Sequence, residues 1–285
     1  MGIFNKGHFS VKMVYMNQKN EDSSSNFSLF CWNIGNPSIE RAEKQAAWLH
    51  KRSEDVFILT ETKESKGCSF LEEYFRTHDY DVVFPKPKEK GYGVMIVSKY
   101  LLKPSIFSNQ IRYLQARVVS VKLKTSSGWL EIIGTYVPSR DSSYEKVTRK
   151  KEFLENLGSA FRSSQDGDKR IFCGDLNILE PNHVPVYSFF QKWEYSFYQN
   201  LIKHQFKDVF RYFSPDSREY SWVGRTGDGY RYDHCFASEG LLPSARECHY
   251  FHDPRKARLS DHSALIAKFN LQLTELKPKM KRTLF

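Results

Sequence analysis

Short runs of apolar residues recur along the chain, each bounded by glycine, proline or clusters of small polar residues. Such runs predict β-strands, particularly because most of them are rich in β-branched and aromatic residues. The predicted strands cover residues 27–34, 55–60, 80–84, 93–98, 117–124, 129–137, 170–175, 231–237 and 264–269.

Apolar residues spaced three or four apart predict helices between some of these strands. Ser38 is a suitable N-cap for the first helix, whose apolar positions are 39, 42, 46 and 49. A second apolar stripe falls at positions 153, 154, 157 and 161, and a third helix is predicted over 187–202. Strands interspersed with helices, some of them hairpin-like neighbours, predict an α/β or α+β sandwich of mixed sheets covered by helices.

The two ends of the chain differ in composition from the segment between them. Residues 1–26 end in a polar, small-residue segment and are expected to form a mobile leader, and residues 273–285 are expected to form a basic C-terminal tail. We find no internal repeat and no long low-complexity linker between them. Residues 27–272 are therefore predicted to form a single domain.

Lysine and arginine outnumber aspartate and glutamate by 43 to 33, which gives a formal net charge of +10. This surplus favours a polyanionic partner, such as nucleic acid or an anionic membrane surface. The five cysteines are scattered and include no C-x-x-C pair, which argues against a disulfide framework or a zinc knuckle. With no signal peptide and no apolar run long enough to span a membrane, we expect a soluble, cytoplasmic protein without a membrane partner. A monomer is the expected state.

The segment Gly174-Asp-Leu-Asn177 follows a short apolar run and offers a carboxylate and an amide where a strand should end. In an extended chain Asp175 and Asn177 point to the same face. An ordinary turn accounts for these residue types, because Asp, Asn and Gly are common in turns. A strand end that lines a cleft would instead use the carboxylate to hold a cation or a water molecule. This segment alone leaves both interpretations open.

Other predicted strands also carry polar residues at or beside an end. They are Asn33, Glu61, Tyr136, Asp233, and the pair Asp261 and His262. Each has an ordinary explanation as a turn residue, a surface loop, a packed side chain or a cap. Their recurrence at corresponding positions favours one shared cleft.

These residue types permit metal-assisted hydrolysis of a phosphoester. Glu61, with Asn33 and Asp261, supplies hard oxygen ligands of the kind that bind Mg²⁺. The ion would neutralise charge that develops on a phosphate oxygen.

The remaining strand-end residues fit the other roles that such a reaction needs. Asp175 is a candidate to deprotonate and aim the attacking water, while Asn177 holds its position. His262, oriented by Asp233, is a candidate hydrogen-bond donor to the phosphoryl oxygen.

In chain order these residues resemble the motifs of the endonuclease/exonuclease/phosphatase superfamily, most closely its exonuclease III branch of abasic-site (AP) DNA repair endonucleases. The matching motifs are Asn33, Glu61, Tyr136, Gly174-Asp-Leu-Asn177, Ser221-Trp222, Arg231-Tyr-Asp233 and Ser260-Asp-His262, and the similarity runs from about residue 27 to 269. The resemblance implies a four-layered α/β sandwich, in which two mixed β-sheets are flanked by helices and the site lies at one end. It also implies Mg²⁺ or Mn²⁺ as cofactor and hydrolysis beside an abasic sugar or at a 3′ end of DNA.

Further details resemble this branch rather than its relatives. Thr62-Lys63 follows Glu61 as is usual in the branch, and Tyr136 stands where the deoxyribonuclease I, sphingomyelinase and deadenylase branches generally have histidine. The resemblance implies a catalytic role for Tyr136. It also implies substrate-binding roles for Trp222, which matches an aromatic residue beside the abasic-sugar pocket, and for Arg231 and Arg117.

The chain also departs from the branch pattern. Ile34-Gly35-Asn36 follows Asn33, Val223-Gly224 follows Trp222, and the segment 226–230 precedes Arg231, each in place of residues usual in the branch. The leading interpretation is a Mg²⁺-dependent DNA phosphodiesterase of exonuclease III type, which cleaves 5′ to abasic sites, removes nucleotides from 3′ ends, or does both in DNA repair. One alternative is a sister-branch phosphohydrolase acting on RNA or a small phosphoester. Another is a non-catalytic DNA-binding module.

Overall fold

The computed structural model describes residues 26–88, 91–164 and 169–278. The expected leader lies outside these residues except for Asn26, and so do residues 279–285 of the expected tail. The strands are β1 (Asn26–Asn33), β2 (Val56–Thr62), β3 (Asp81–Val83), β4 (Gly93–Ser98), β5 (Lys103–Pro104), β6 (Val118–Thr125), β7 (Gly128–Tyr136), β8 (Arg170–Asp175), β9 (Phe206–Asp208), β10 (Trp222–Val223), β11 (Gly229–Tyr230), β12 (Asp233–Ser238), β13 (Ala245–Phe251) and β14 (Ala264–Asn270). The α-helices are α1 (Ile39–Leu49), α2 (Lys66–Thr77), α3 (Tyr144–Ser163), α4 (Lys192–Lys203), α5 (Val209–Phe213) and α6 (Asp253–Lys256).

Two six-stranded sheets form the centre of the fold. The first has the order β13-β14-β1-β2-β4-β3, and the second has the order β5-β6-β7-β8-β12-β9. In each sheet one neighbouring pair is parallel, β1 with β2 and β7 with β8, while the remaining pairs are antiparallel. The prediction of two mixed sheets flanked by helices is confirmed.

Alternation of side chains along the strands produces the layers. In β1, Leu29 and Cys31 belong to the apolar core between the sheets, whereas Phe30 and Trp32 belong to a second core beneath α1 and α2. A third core lies between the second sheet and helices α3 and α4. The order of layers is therefore helix, sheet, sheet, helix.

Several elements differ from those that the sequence pattern predicts. The third helix begins at Lys192 and not at residue 187, because Gln191 and Glu194 form a capping box that starts the helix there. Strand β13 was not predicted, since its residues mix charged and apolar side chains, and its pairing with β14 makes it a strand. Helix α2 was also not predicted, although Ser65 caps it. Within the described ranges no helix is both long and apolar enough to cross a membrane.

One end of the sandwich collects the polar strand ends. The parallel pairs β1 with β2 and β7 with β8 all finish at this end, and the antiparallel strands β12 and β14 begin there. The residues at these ends come from distant parts of the chain but share one edge of the fold.

Part of the expected C-terminal tail packs against the sandwich. Leu273 and Leu276 form isolated bridges with Thr125 and Tyr100, and Lys277 lies 3.3 Å from Asp81.

Candidate active site

Asp175 is held at the end of β8 by an unusually close approach of the neighbouring strand. A Cβ atom added to Gly174 would lie 1.9 Å from the Thr135 carbonyl oxygen, so only glycine fits there. Asn177 adopts a positive φ of 48°, and its backbone N–H donates to Asp175 Oδ1 at 2.9 Å. The chain therefore bends directly after β8, and this bend fixes the direction of the Asp175 carboxylate.

Glu61 lies at a β-bulge, where the register between β2 and β4 shifts between Thr60 and Thr62. Its φ is 58°, and its carbonyl oxygen accepts a hydrogen bond from the Asn36 N–H at 2.9 Å. Bulges re-aim side chains at the ends of strands. Here the Glu61 carboxylate meets Tyr136, whose hydroxyl donates to Glu61 Oε2 at 3.0 Å.

The Asn33 side chain connects the two sheets. Its Nδ2 donates to Glu61 Oε2 and to Asp175 Oδ2, at 2.9 Å in each case. Its Oδ1 accepts the Gly35 N–H at 2.9 Å. Asn33 was expected to bind the metal ion, and in this structure its amide nitrogen faces the two carboxylates while its amide oxygen faces Gly35. Asn33 therefore acts as a clamp between Glu61 and Asp175.

His262, Asp233 and Asp175 form a buried cluster beside this clamp. The Nδ1 atom of His262 lies 2.8 Å from Asp233 Oδ2, and its Nε2 atom lies 3.9 Å from Asp175 Oδ2. One ligand atom from each of the three residues falls within 4.8 Å of the others. Ser221 supports the cluster, because its hydroxyl oxygen accepts the backbone N–H of Asp233 at 3.0 Å.

Burial and mutual charge shift the proton affinities of this cluster. Burial, and then the neighbouring Asp233, raise the pKa of Asp175 to about 7, although His262 opposes the change. Burial disfavours the charged form of His262, but the contact with Asp233 outweighs it and the pKa of His262 rises to about 9. Perturbed pKa values of this kind are typical of acid–base groups in active sites.

The donor set fits a hard divalent cation such as Mg²⁺. Glu61 offers a carboxylate at the rim of the cluster, and the buried Oδ1 of Asp233 has no hydrogen-bond partner among the described residues. Asp261 is exposed at the same rim, where its Oδ2 accepts the indole N–H of Trp222 at 2.9 Å. Carboxylate oxygens therefore face the cleft from several strand ends.

The three residues expected to bind substrate have different environments. Trp222 is partly exposed beside Asp261. Arg117 is buried, donates to the Tyr136 carbonyl oxygen at 3.0 Å, and stacks over the Tyr136 ring at 4.7 Å. Arg117 therefore supports Tyr136.

Arg231, the third residue expected to bind substrate, lies inside the protein. Its side chain is 0% exposed and forms ion pairs with Glu180 at 2.6 Å and with Asp208 at 2.7 Å. The guanidinium group is thus held inside the protein. Arg231 anchors the segment that leads into β12 and Asp233.

A second buried ion cluster supports the segment that follows β8. Lys150 Nζ lies 2.5 Å from the Asn177 carbonyl oxygen and 2.7 Å from Glu194, which also pairs with Arg140 at 2.5 Å. All three side chains are at most 2% exposed. Sequence reasoning missed this cluster, because Lys150 lies between Arg149 and Lys151 in a helix and such a run is typical of a solvated surface.

A basic groove of about 1000 Å³ borders the site. It contains Tyr92, whose ring lies 5.6 Å from the Tyr136 ring. No aspartate or glutamate is among the described residues that line it. Its basic residues are Lys86, Lys88, Arg112, Arg117 and Arg149. A larger cavity of about 1220 Å³ lies elsewhere, beside Glu180 and Arg211, and includes none of the clustered site residues.

Known proteins resemble this chain in sequence and in fold. Residues 30–262 match the sequence profile of the Endonuclease/Exonuclease/phosphatase family. No curated protein is a significant match to the chain.

Solved structures share the fold over most of the chain. An AP endonuclease from Archaeoglobus fulgidus is 25% identical with a TM-score of 0.70, and the match covers 85% of this chain and 99% of that one. The 3′ phosphatase NExo from Neisseria, bound to a product DNA hairpin, is 19% identical with a TM-score of 0.72 and coverage of 85% and 99%. The catalytic domain of Xenopus laevis APE2 is 19% identical with a TM-score of 0.72 and coverage of 88% and 94%.

Proposed function

The chain belongs to the endonuclease/exonuclease/phosphatase family, and on that premise we propose that it is a Mg²⁺-dependent DNA phosphodiesterase of exonuclease III type. It would cleave 5′ to abasic sites, remove nucleotides from 3′ ends, or do both. One observation carries the proposal: the Asn33 amide clamps Glu61 to Asp175, next to the His262–Asp233 pair. Metal-assisted phosphoester hydrolysis needs these groups within one cleft.

Asp175 is the general base in this proposal. A carboxylate with a pKa near 7 is well matched to accepting a proton from water at neutral pH. The resulting hydroxide attacks phosphorus, the P–O3′ bond breaks, and the leaving O3′ takes up a proton from solvent, which gives a 3′ hydroxyl and a 5′ phosphate. Asn177 keeps the base in place, because its N–H donates to Asp175 Oδ1.

His262 stabilises the phosphoryl oxygen on which negative charge develops. Its Nδ1 atom is engaged by Asp233, so its Nε2 atom is directed toward Asp175 and the cleft. The raised pKa of His262 keeps it protonated at neutral pH, which makes it a charged donor. Tyr136 stays a neutral donor, since burial and then Glu61 raise its pKa, and it holds Glu61 in position.

Glu61 and Asp261 are the carboxylates that would hold the metal ion at the rim of the cluster. When bound, Mg²⁺ supplies charge neutralisation at the scissile phosphate. The clamp by Asn33 and Tyr136 keeps Glu61 oriented toward that position.

A polyanionic substrate is supported by the charge distribution. The basic groove adjoins the site through Tyr92 and presents lysine and arginine side chains without a lining carboxylate. Such a surface binds a phosphate backbone and releases counterions. Among the similar structures, an AP endonuclease and a 3′ phosphatase bound to a DNA hairpin support DNA as this substrate.

The test is cleavage of an end-labelled duplex that carries one stable abasic analogue, compared with the intact duplex. Each is incubated with Mg²⁺ or with EDTA, and the Asp175→Asn variant serves as control. A cut just 5′ of the analogue, or shortening from the 3′ end, that requires both the metal and Asp175 is the expected result. Hydrolysis of RNA or of a small phosphoester, without cleavage of either DNA duplex, would instead support a sister-branch phosphohydrolase. DNA binding without cleavage in the presence of any divalent ion would support the alternative of a non-catalytic DNA-binding module.

A further inference from the structure

Lys150 reaches the interior of the fold from helix α3, where its side chain is 1% exposed. Its ammonium group donates to the Asn177 carbonyl oxygen at 2.5 Å and to the Glu194 carboxylate at 2.7 Å. Its chain neighbours Arg149 and Lys151 are partly exposed and exposed, respectively. Burial lowers the pKa of Lys150 to about 8 while Glu194 opposes the change, so the lysine is charged at pH 7. A buried charge is costly unless it is paired and hydrogen-bonded, and a lysine with both kinds of partner is held in one position.

Glu194 connects Lys150 to two other segments of the chain. Its carboxylate accepts hydrogen bonds from the Arg140 guanidinium group at 2.5 Å and from the Gln191 backbone N–H at 2.9 Å. Arg140 also donates to the Phe189 carbonyl oxygen at 2.8 Å. The network therefore ties the segment after β7 and the start of α4 to the segment after β8.

Asn177 links this network to Asp175. Its backbone N–H donates to Asp175 Oδ1 at 2.9 Å, and its side-chain amide donates to the Val137 carbonyl oxygen at 3.0 Å. Its φ of 48° lies in the left-handed region, which few residues other than glycine adopt. Lys150 binds the carbonyl oxygen of the same residue and thereby stabilises this conformation. One residue thus connects the buried ammonium group to the carboxylate.

Resting on the proposed function, we propose that Lys150 is a positioning residue, which fixes the direction of the Asp175 carboxylate through Asn177. A general base must lie within hydrogen-bond reach of the water that it deprotonates. A displacement of about 1 Å at a reacting group can lower a rate by about 100-fold. Loss of the Lys150 ammonium group should therefore lower kcat. KM and the affinity for DNA should stay nearly unchanged, because Lys150 acts inside the protein and not on the substrate.

The first test is cleavage of the end-labelled duplex that the wild-type protein cleaves, at pH 7 with Mg²⁺. Lys150→Met removes the ammonium group but keeps a long side chain, and it leaves Glu194 paired with Arg140. We expect kcat to fall by about 10- to 100-fold. Lys150→Arg keeps a cationic donor and should recover most of the rate. Lys151→Met, at the exposed neighbour, is the matched control and should keep the wild-type kcat.

A wild-type kcat in folded Lys150→Met would overturn the proposal. Thermal unfolding shows whether each variant is folded, and Lys150→Leu is a second apolar variant if Lys150→Met does not fold. Affinity for DNA is measured in EDTA, where no cleavage occurs. If the affinity of a folded variant fell by the same factor as its kcat, Lys150 would have a general structural role instead.

The second test is a double-mutant cycle with Asp175→Asn, measured by single-turnover cleavage. If Lys150 acts through Asp175, Lys150→Met should lower the rate in the wild-type background and leave the residual rate of Asp175→Asn nearly unchanged. A general loosening of the fold would lower the rate by the same factor in both backgrounds. Equal factors would therefore overturn the positioning role.

The choice of substrate separates this inference from the proposed function. If the wild-type protein cleaves DNA and the cycle gives equal factors, the nuclease proposal stands and the positioning role fails. If it cleaves no DNA but hydrolyses RNA or bis-p-nitrophenyl phosphate, the proposed substrate fails, and the same cycle on that substrate decides the role of Lys150. Hydrolysis of no phosphoester at all would overturn both proposals.

Discussion

Asp175 and Asp233 are register partners across the antiparallel strands β8 and β12, so two carboxylates face each other at the same end of the second sheet. Both are buried, and the pKa of Asp175 rises to about 7 because of burial and of Asp233. His262 contacts Asp233 directly and lies 3.9 Å from Asp175. In the proposed function the two carboxylates take different roles, Asp175 as the base and Asp233 as the partner of His262.

Substitution of the base should separate catalysis from binding. Asp175→Asn removes the group that accepts the proton from water, and we expect the cleavage rate to fall by about 10²- to 10⁴-fold. Affinity for DNA, measured in EDTA, should stay nearly unchanged. Single-turnover cleavage and binding titrations provide the two readouts. Asp216→Asn, at an exposed position away from the cluster, is the matched control. A wild-type cleavage rate in Asp175→Asn would show that Asp175 is not the base.

Loss of the Glu61 carboxylate should weaken the metal site. Glu61→Ala removes a hard oxygen ligand, so a higher Mg²⁺ concentration should be needed for half-maximal activity. Mg²⁺ titration of the cleavage rate measures this shift. The exposed neighbour Glu64 supplies the control, since Glu64→Ala should keep the wild-type titration curve. An unchanged curve for Glu61→Ala would place the ion elsewhere.

The basic groove should determine the salt dependence of DNA binding. Replacing Arg112 or Arg149 by alanine should reduce the slope of log affinity against log salt concentration by about one each, because each arginine that contacts a phosphate releases about one counterion. Affinities measured over a series of salt concentrations provide the slopes. Arg162→Ala, at an exposed arginine that does not line the groove, should leave the slope unchanged. Equal slopes in all these variants would show that DNA binds along another surface.

Glu180 should contribute a pH-dependent part of the stability. Burial favours the protonated form, but hydrogen bonds from Arg211 and charge interaction with Arg231 outweigh it, and the pKa of Glu180 falls to about 2. The folded-state pKa is below the ordinary value of 4.5, so this stabilisation is fully present above about pH 5 and is lost as pH falls toward 2.

The measurement is the free energy of unfolding of Glu180→Gln between pH 3 and pH 7. Near neutral pH the substitution should cost about 3–5 kcal/mol, because it leaves the buried Arg231 with one charged partner fewer. This difference should shrink as pH falls below about 4.5. Glu239→Gln, at an exposed glutamate that pairs with Lys207, should cost about 0–1 kcal/mol at any pH. A cost for Glu180→Gln that did not change with pH would contradict the assigned charge interactions.

The amino-acid pattern alone determined the parts of this fold that depend on local interactions. Strands β4 and β8 have the bounds that their apolar runs predict, and helix α1 begins after Ser38, whose side chain accepts the Arg41 N–H. The mixed sheets follow from the alternation of strands and helices. The polar residues at strand ends were also visible, because a strand end is a local feature of the sequence.

Only the tertiary structure decided which of these residues meet, and how. The apposition of Asp175 and Asp233 depends on strand register, and the direction of Glu61 depends on a bulge at Thr60–Thr62. Register and bulges arise from contacts between segments far apart in the chain, which a local pattern does not encode.

The same dependence on distant contacts explains why the sequence did not reveal the roles of Arg231 and Lys150. Arg231 is locked between Glu180 and Asp208, and Lys150 lies buried behind Asn177. In sequence, a buried basic residue with distant acidic partners looks the same as a solvated one. The difference is the burial and ion pairing that packing creates, and so it exists only in the folded protein.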